Sequence, residues 1–291
     1  PNVTTDAAAV CVKSGNAVIL RGGSEALETN TLLTEAMIRG VLEADLPKNT
    51  IQIIPVTGHE AVSELLKMDA YIDVLIPRGG KGLIQRIAEG TRIPVIKHYD
   101  GVCHLYIAED ADPAQAVALA VNSKCQSIQV CNALETLLID KHCAAQILPL
   151  IHAAFTEKAI ELRGCEQTRA FLPDMIEATE DDWYSEYLAP ILSVKVVDGI
   201  DEAIAHINQY GSKHTDGIVT QSLKLAQQFE QQVDSASVLI NASTRLSGGG
   251  DYGLGSVVGI STDKLHARGP VGINELTSYK WVAYGNGHLR D

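Results

Sequence analysis

The chain has 291 residues, 46% of them hydrophobic and 20% charged, which suits one large or two ordinary globular domains. A formal net charge of −13 argues against nucleic acid and anionic membrane as partners, and no apolar run approaches the roughly 20 residues that cross a bilayer. Six cysteines at irregular spacing, with no CxxC pair, read as free thiols of a reducing compartment, which favours a cytoplasmic protein.

In chain order, residues 6–13 read as a helix stopped by Ser14-Gly15, and Ala17-Val18-Ile19-Leu20 as a short strand buried on both faces. A long helix follows over residues 25–43, ending before Pro47. Then come a strand at Ile51-Gln52-Ile53-Ile54, a helix over residues 59–68 and a strand at Ile72-Asp73-Val74-Leu75-Ile76. A further helix starts near Lys81, and Pro94-Val95-Ile96 is strand-like. Strands alternating with helices predict a parallel sheet with right-handed crossovers. From Gly101 the pattern restarts. A strand at residues 102–107 is followed by a helix over 113–124 that delivers the chain to Cys131. Helices over 141–158 and 201–209 and strands at 191–197, 217–220 and 238–241 complete the alternation. Residues 241–255 are rich in Gly and Ser and form a long loop of the kind that carries active sites. The tail, residues 275–284, reads as an extended segment bearing Tyr279, Trp281 and Tyr284, able to pair as an edge with another subunit. There is no internal repeat.

Three stretches carry chemistry. Arg21-Gly22-Gly23-Ser24 and Arg78-Gly79-Gly80-Lys81 are glycine-rich strand-to-helix turns, where bare backbone N–H groups can approach a phosphate. Either could be a plain structural turn, and neither is the GxGxxG fingerprint of an ordinary Rossmann dehydrogenase. The third stretch is Val130-Cys131-Asn132-Ala133-Leu134-Glu135-Thr136-Leu137-Leu138. Cys131 ends a mixed polar run and is expected to enter a helix-like turn at residues 132–135, whose dipole would lower the thiol pKa. The competing reading is a buried cysteine serving as a small hydrophobe. No metal-ligand spacing such as HExxH is present, and no metal is expected.

VCNALETLL resembles the nucleophile segment of the gamma-glutamyl phosphate reductase family, within the aldehyde dehydrogenase superfamily. Residues 14–25 resemble that family's first cofactor turn, residues 76–83 its second glycine loop, and residues 259–270 its C-terminal signature, in the family's order along the whole chain. The resemblance implies an aldehyde dehydrogenase-like α/β fold. Two Rossmann-like domains with parallel sheets are expected, plus a C-terminal oligomerisation strand. Residues 1–101 would be an N-terminally incomplete cofactor-binding domain, 102–268 the catalytic domain, and 269–291 a segment for packing and oligomerisation. It implies further that the chain is part of a longer polypeptide, with elements preceding Pro1-Asn2.

The activity implied is NADPH-dependent reduction of gamma-glutamyl phosphate to glutamate-5-semialdehyde, with release of phosphate through a Cys131 thioester. Asn2 would be the oxyanion donor. Arg21, Gly22, Gly23, Ser24, Gly79, Gly80 and Lys81 would hold the cofactor, and Glu186 the nicotinamide ribose, unless Glu186 is a solvated surface acid. Thr244, Arg245, His266 and Arg268 would hold the substrate anions, although either arginine could instead sit in a surface salt bridge. Ser24 falls where NAD-specific members carry an acid, which points to NADP. Oxidising relatives carry a general-base glutamate where this chain reads Lys97-His98-Tyr99-Asp100-Gly101. With His98 there, acid/base or merely structural, reduction is favoured over oxidation. The alternatives are an oxidising dehydrogenase of another semialdehyde and an inactive assembly fragment. A homo-oligomer is implied, with a functional association with glutamate 5-kinase.

Overall fold

The computed structural model describes residues 1–290. The chain divides into two compact units, one of residues 1–61, 256–258 and 271–291, the other of residues 62–255 and 259–270.

The smaller unit opens with α1 (Asn2–Lys13), closed at Ser14 and Gly15, whose φ of +83° is the left-handed conformation glycine adopts most freely. β1 (Val18–Leu20), α2 (Leu27–Glu43) and β2 (Ile51–Ile53) follow, and β1 pairs with β2 in parallel. Leu20, Val41 and Ile51 bury their side chains around Ala8, so the two helices cover this small sheet. α3 (His59–Leu65) spans the boundary between the units.

In the larger unit, α4 (Lys81–Gly90) follows a stretch expected to hold a strand at residues 72–76. That strand is not formed. Only one parallel bridge, Leu75 to Val95, connects the two segments. The adjoining Pro77 and Pro94 have no N–H to extend a ladder, so pairing stops after one residue.

The centre of the unit is a seven-stranded, wholly parallel sheet. Its strands are β3 (Cys103–Ile107), β4 (Leu134–Asp140), β5 (Glu161–Gly164), β6 (Ile176–Glu177), β7 (Ile191–Val197), β8 (Thr215–Val219) and β9 (Ser237–Ile240). They lie in the order β6-β5-β7-β4-β3-β8-β9. The helices that join them are α5 (Pro113–Cys125), α6 (Lys141–Glu157), α7 (Glu166–Phe171), α8 (Glu180–Trp183), α9 (Gly199–Tyr210) and α10 (Leu223–Gln232). Alternate residues of the inner strands point to opposite faces. Leu105, Ile107, Leu137 and Ile139 pack with Ala116, Ile147 and Phe155 of α5 and α6. Tyr106 and Leu138 pack with Ile204, Ile207 and Phe229 of α9 and α10. Both faces are therefore dry, and the strands read as continuous apolar runs. A short antiparallel pair, β10 (Ile260–Ser261) with β11 (Gly269–Pro270), lies beyond the sheet.

Helix starts are set by side chains. Asp112 accepts the Gln115 N–H at 2.8 Å ahead of Pro113, which fixes the first residue of α5. Asp140 ends β4 and caps α6, one oxygen accepting the His142 N–H at 2.9 Å and the other the Tyr106 hydroxyl at 2.7 Å. The expected helix-like turn at residues 132–135 is a correction: a tight turn closes at Ala133 and β4 begins at Leu134, with every residue of β4 buried. A strand covered on both faces has no alternation to distinguish it from a buried helix. The tail after Pro270 forms no strand among the described residues, and Tyr279, Trp281 and Tyr284 stand 85–96% exposed. No described helix is long and apolar enough to cross a membrane.

Candidate active site

The geometry of the larger unit concentrates on the turn before β4. Cys131 is half-buried there. Its carbonyl accepts the buried Cys103 thiol at 3.3 Å. Gly101 presses against the same backbone: a Cβ at position 101 would lie 1.9 Å from the Cys131 oxygen. Only glycine allows this close approach of the backbone at 101 to the Cys131 turn.

The thiol does not sit at a helix N-terminus, and burial pushes its pKa up, not down. The charge of Glu186 pushes the same way, while Arg78 and Arg245 oppose it. This reverses the expectation of a dipole-lowered thiol. Cys103 is fully buried and is raised well above its ordinary range, first by burial and then by Asp216.

Two imidazoles face the site. One ligand atom from each of His98, Cys131 and His214 lies within 4.8 Å of the others. His98 is half-buried, with Nδ1 2.9 Å from the Ile260 carbonyl. His214 is fully buried, with Nδ1 2.8 Å from Thr215 Oγ1, and its Nε2 has no partner. The two rings meet edge to face, centroids 5.6 Å apart. Burial lowers both pKa values, that of His214 to about 3, so both rings are neutral at pH 7.

Beneath the turn, Asn132 is buried, and Arg245 donates to its side-chain oxygen. Arg245 Nε also donates to Gln126 at 2.8 Å. Glu135 and Lys124 form a fully buried pair at 2.5 Å, linking β4 to α5, and the second Glu135 oxygen accepts the Leu188 N–H at 3.3 Å. Burial of both groups raises the Glu135 pKa to about 7 and lowers that of Lys124, two consistent signs of one desolvated pair. Glu186 is half-buried and accepts the Gly101 N–H, so it is no solvated surface acid.

The other predicted residues are spread more widely. Thr244 is buried in a single turn of 3₁₀ helix, its N–H donating to Ser123 at 3.1 Å and its hydroxyl without a partner. Arg268 is bound to Asp234, Nη2 to Oδ1 at 3.0 Å, and Asp234 also carries Lys213 and Lys264. These cations hold the Asp234 carboxyl at about 2. Of the two readings open for Arg268, the structure shows the salt bridge. His266 is exposed at the rim of a cavity of about 510 Å³ lined also by Val74, Ile93, Lys97 and Asp263. At the second glycine turn, Gly79 has φ +152°, Gly80 precedes α4 without a side-chain cap, and Lys81 pairs with Asp100.

In the smaller unit, Asn2 is exposed and opens α1. Arg21 donates to the Thr57 carbonyl at 2.7 Å, and its buried Nε has no partner. A Cβ at Gly22 would fall 2.2 Å from the buried Asn30 amide. Gly23 and the helical turn at Ser24 carry no side-chain cap, and the Glu25 carboxylate lies against Gly23.

The sequence gives no sign of His214 or of the Lys124–Glu135 pairing, and Arg78, Gly101 and Asn132 stand in its motifs without a role of their own. Glu135 alone stands out, a lone carboxylate in an apolar run.

A half-buried thiol on a turn at the end of a parallel α/β sheet suits an oxidoreductase of the dehydrogenase type. The chain belongs to the aldehyde dehydrogenase family, whose model matches residues 2–170 and 163–282. It is similar to the crystal structure of gamma-glutamyl phosphate reductase from Thermotoga maritima: 42% identity over 100% of this chain and 70% of that one, TM-score 0.98. An acetylating aldehyde dehydrogenase from Geobacillus thermoglucosidasius shares the fold at 20% identity, over 100% of this chain and 74% of that one, TM-score 0.75.

Proposed function

We propose that this chain carries out the NADPH-dependent reduction of gamma-glutamyl phosphate to glutamate-5-semialdehyde, with release of phosphate. The observation that carries the reading is the 42% identity, over the whole chain, to a gamma-glutamyl phosphate reductase. In this reading Cys131 is the nucleophile. Its thiolate adds to the acyl carbon, phosphate departs with the electron pair of the C–O bond, and an enzyme thioester remains. The unshared lone pairs of His98 and His214 can accept a hydrogen bond from the thiol, but burial makes both rings weak bases. A nicotinamide cofactor, when bound, would supply the hydride needed to reduce the Cys131 thioester to the aldehyde, freeing the thiolate. Glu186 receives the nicotinamide ribose, and its bond to the Gly101 N–H supports that role by fixing the carboxylate. Asn2 stabilises the oxyanion, and Asn2→Ala should lower the rate roughly a hundred- to a thousandfold. Thr244, Arg245 and His266 serve the substrate anions. Arg268 does so only by giving up Asp234.

Two measurements test the reading. In the reverse direction, NADP⁺ should be reduced with glutamate-5-semialdehyde only when phosphate is present. Turnover without phosphate, yielding glutamate, would replace this reading with an oxidising dehydrogenase. For cofactor choice, Ser24→Glu places a carboxylate where a 2′-phosphate would sit and should weaken NADPH binding more than NADH binding. An unchanged ratio of the two affinities removes Ser24 from the cofactor site.

The exposed aromatics of the tail support a homo-oligomer, with Tyr279, Trp281 and Tyr284 covered by a second copy. Trp281→Ser should shift the mass measured by light scattering toward the monomer.

A further inference from the structure

We propose that Cys131, His98 and His214 form a three-ligand site for a thiophilic divalent cation such as Zn²⁺, and that its occupancy reversibly blocks the nucleophile. The hydrogen bonds around the two rings determine which nitrogens are available. The Ile260 carbonyl can only accept, so His98 Nδ1 carries the proton and Nε2 keeps its lone pair. For His214 a relay decides. Ser247 donates to the Thr244 carbonyl at 3.0 Å, and Thr215 donates to Ser247 at 2.8 Å. Thr215 Oγ1 is left to accept from His214 Nδ1, so Nε2 is again the bare nitrogen. That nitrogen is buried and has no partner. Metal-binding histidines are oriented in the same way, the far ring N–H donated to a carbonyl or hydroxyl.

One sulfur and two imidazole nitrogens suit Zn²⁺ or Co²⁺, and the fourth position stays open for water. In a tetrahedral site such donors stand roughly 3.3–3.6 Å apart. One ligand atom of each residue already lies within 4.8 Å of the others, and a bound cation would draw them closer. Sequence spacing cannot reveal the site, because the ligands come from a loop, a turn and the residue before β8. Arg78 acts on both His98 and Cys131 and opposes a cation here, while Glu186 acts on Cys131 with the favourable sign. The site requires only these three side chains, while the blocking of a nucleophile by its occupancy rests on the role given to Cys131 in the reductase reading.

Co²⁺ is the spectroscopic probe. Titrating the whole chain should give one Co²⁺ per chain, with tetrahedral visible bands and a thiolate-to-cobalt charge-transfer band. Cys131→Ser should abolish the charge-transfer band. His98→Gln and His214→Asn should each weaken Co²⁺ binding at least tenfold, and Arg78→Gln should tighten it. Zn²⁺ should displace Co²⁺ and protect Cys131 of the unmodified chain from iodoacetamide, with EDTA restoring labelling. This last arm needs no variant, so a misfolded His214→Asn chain leaves the test intact. Co²⁺ bound without the charge-transfer band, unchanged affinity in His98→Gln, or labelling of Cys131 at full rate under saturating Zn²⁺ would each overturn the proposal. None of these results would bear on turnover in the metal-free chain.

Discussion

At Cys131 the balance of charges decides how the thiol behaves. Burial and Glu186 raise its pKa, and Arg78 and Arg245 lower it without prevailing. Reaction with iodoacetamide reads the thiolate fraction. Its rate should therefore climb with pH from 7 past 9 without levelling off. Glu186→Gln should raise the rate at pH 8, and Arg78→Gln should lower it. A plateau below pH 8 would mean that the thiol is activated by something these charges do not describe. Cys131→Ala should remove turnover with the melting temperature unchanged, whereas any side chain at 101 collides with the backbone of Cys131. Backbone cannot move aside as a rotamer can. Gly101→Ala should thus cost at least the roughly 1–3 kcal/mol of an overpacked core, measured by denaturant unfolding, and should slow the alkylation of Cys131 as its turn is displaced.

β4 shows what a single element asks of its sequence. Leu137, Leu138 and Ile139 face both helical layers, and one acid among them, Glu135, is tolerated because Lys124 of α5 meets it. Lys124→Met should destabilise the chain by about 3–5 kcal/mol, since it strands a buried carboxyl with one weak backbone donor. The double variant Lys124→Met with Glu135→Gln should recover most of that loss in urea denaturation. Equal loss in both would show that the pair contributes only packing. The same strand marks where sequence reading stops. The alternation of strands and helices was legible from the pattern, with helices expected at 113–124 and 141–158 and found at 113–125 and 141–157, and one motif singled out Cys131 as the thiol to examine. Residues 132–135 were not, because a doubly buried strand has no polar face to give it a period. His214 was not, because its value lies in an unshared nitrogen that only the relay through Thr215 and Ser247 creates.

Across the whole molecule, buried titrating groups set the response to acid. His206 and His214 are held neutral in the fold, at about 2 and about 3, mainly by burial. Below pH 6.5 the unfolded chain takes up two protons that the fold refuses, so stability falls as pH falls. Glu135, raised to about 7, works the other way: between pH 4.5 and 7 the fold holds a proton that the unfolded chain has released. From these three groups the net balance between pH 4.5 and 6.5 is one proton in favour of the unfolded chain, a slope of about 1.4 kcal/mol per pH unit. His206→Asn should flatten that slope in urea unfolding measured across the window. A slope left unchanged would mean that His206 is not held neutral in the fold.

The strand order carries a further consequence, for synthesis of the chain. β3 and β4 are made one after the other and lie side by side, but their outer neighbours, β8 and β7, come much later in the chain. About 50 residues separate the end of β4 from the start of β7, which at roughly 5–20 residues per second leaves the edge of β4 uncovered for about 3–10 seconds on the ribosome. During that interval a strand whose every residue is buried in the finished fold is a nascent edge, and it is then that a chaperone has most to protect.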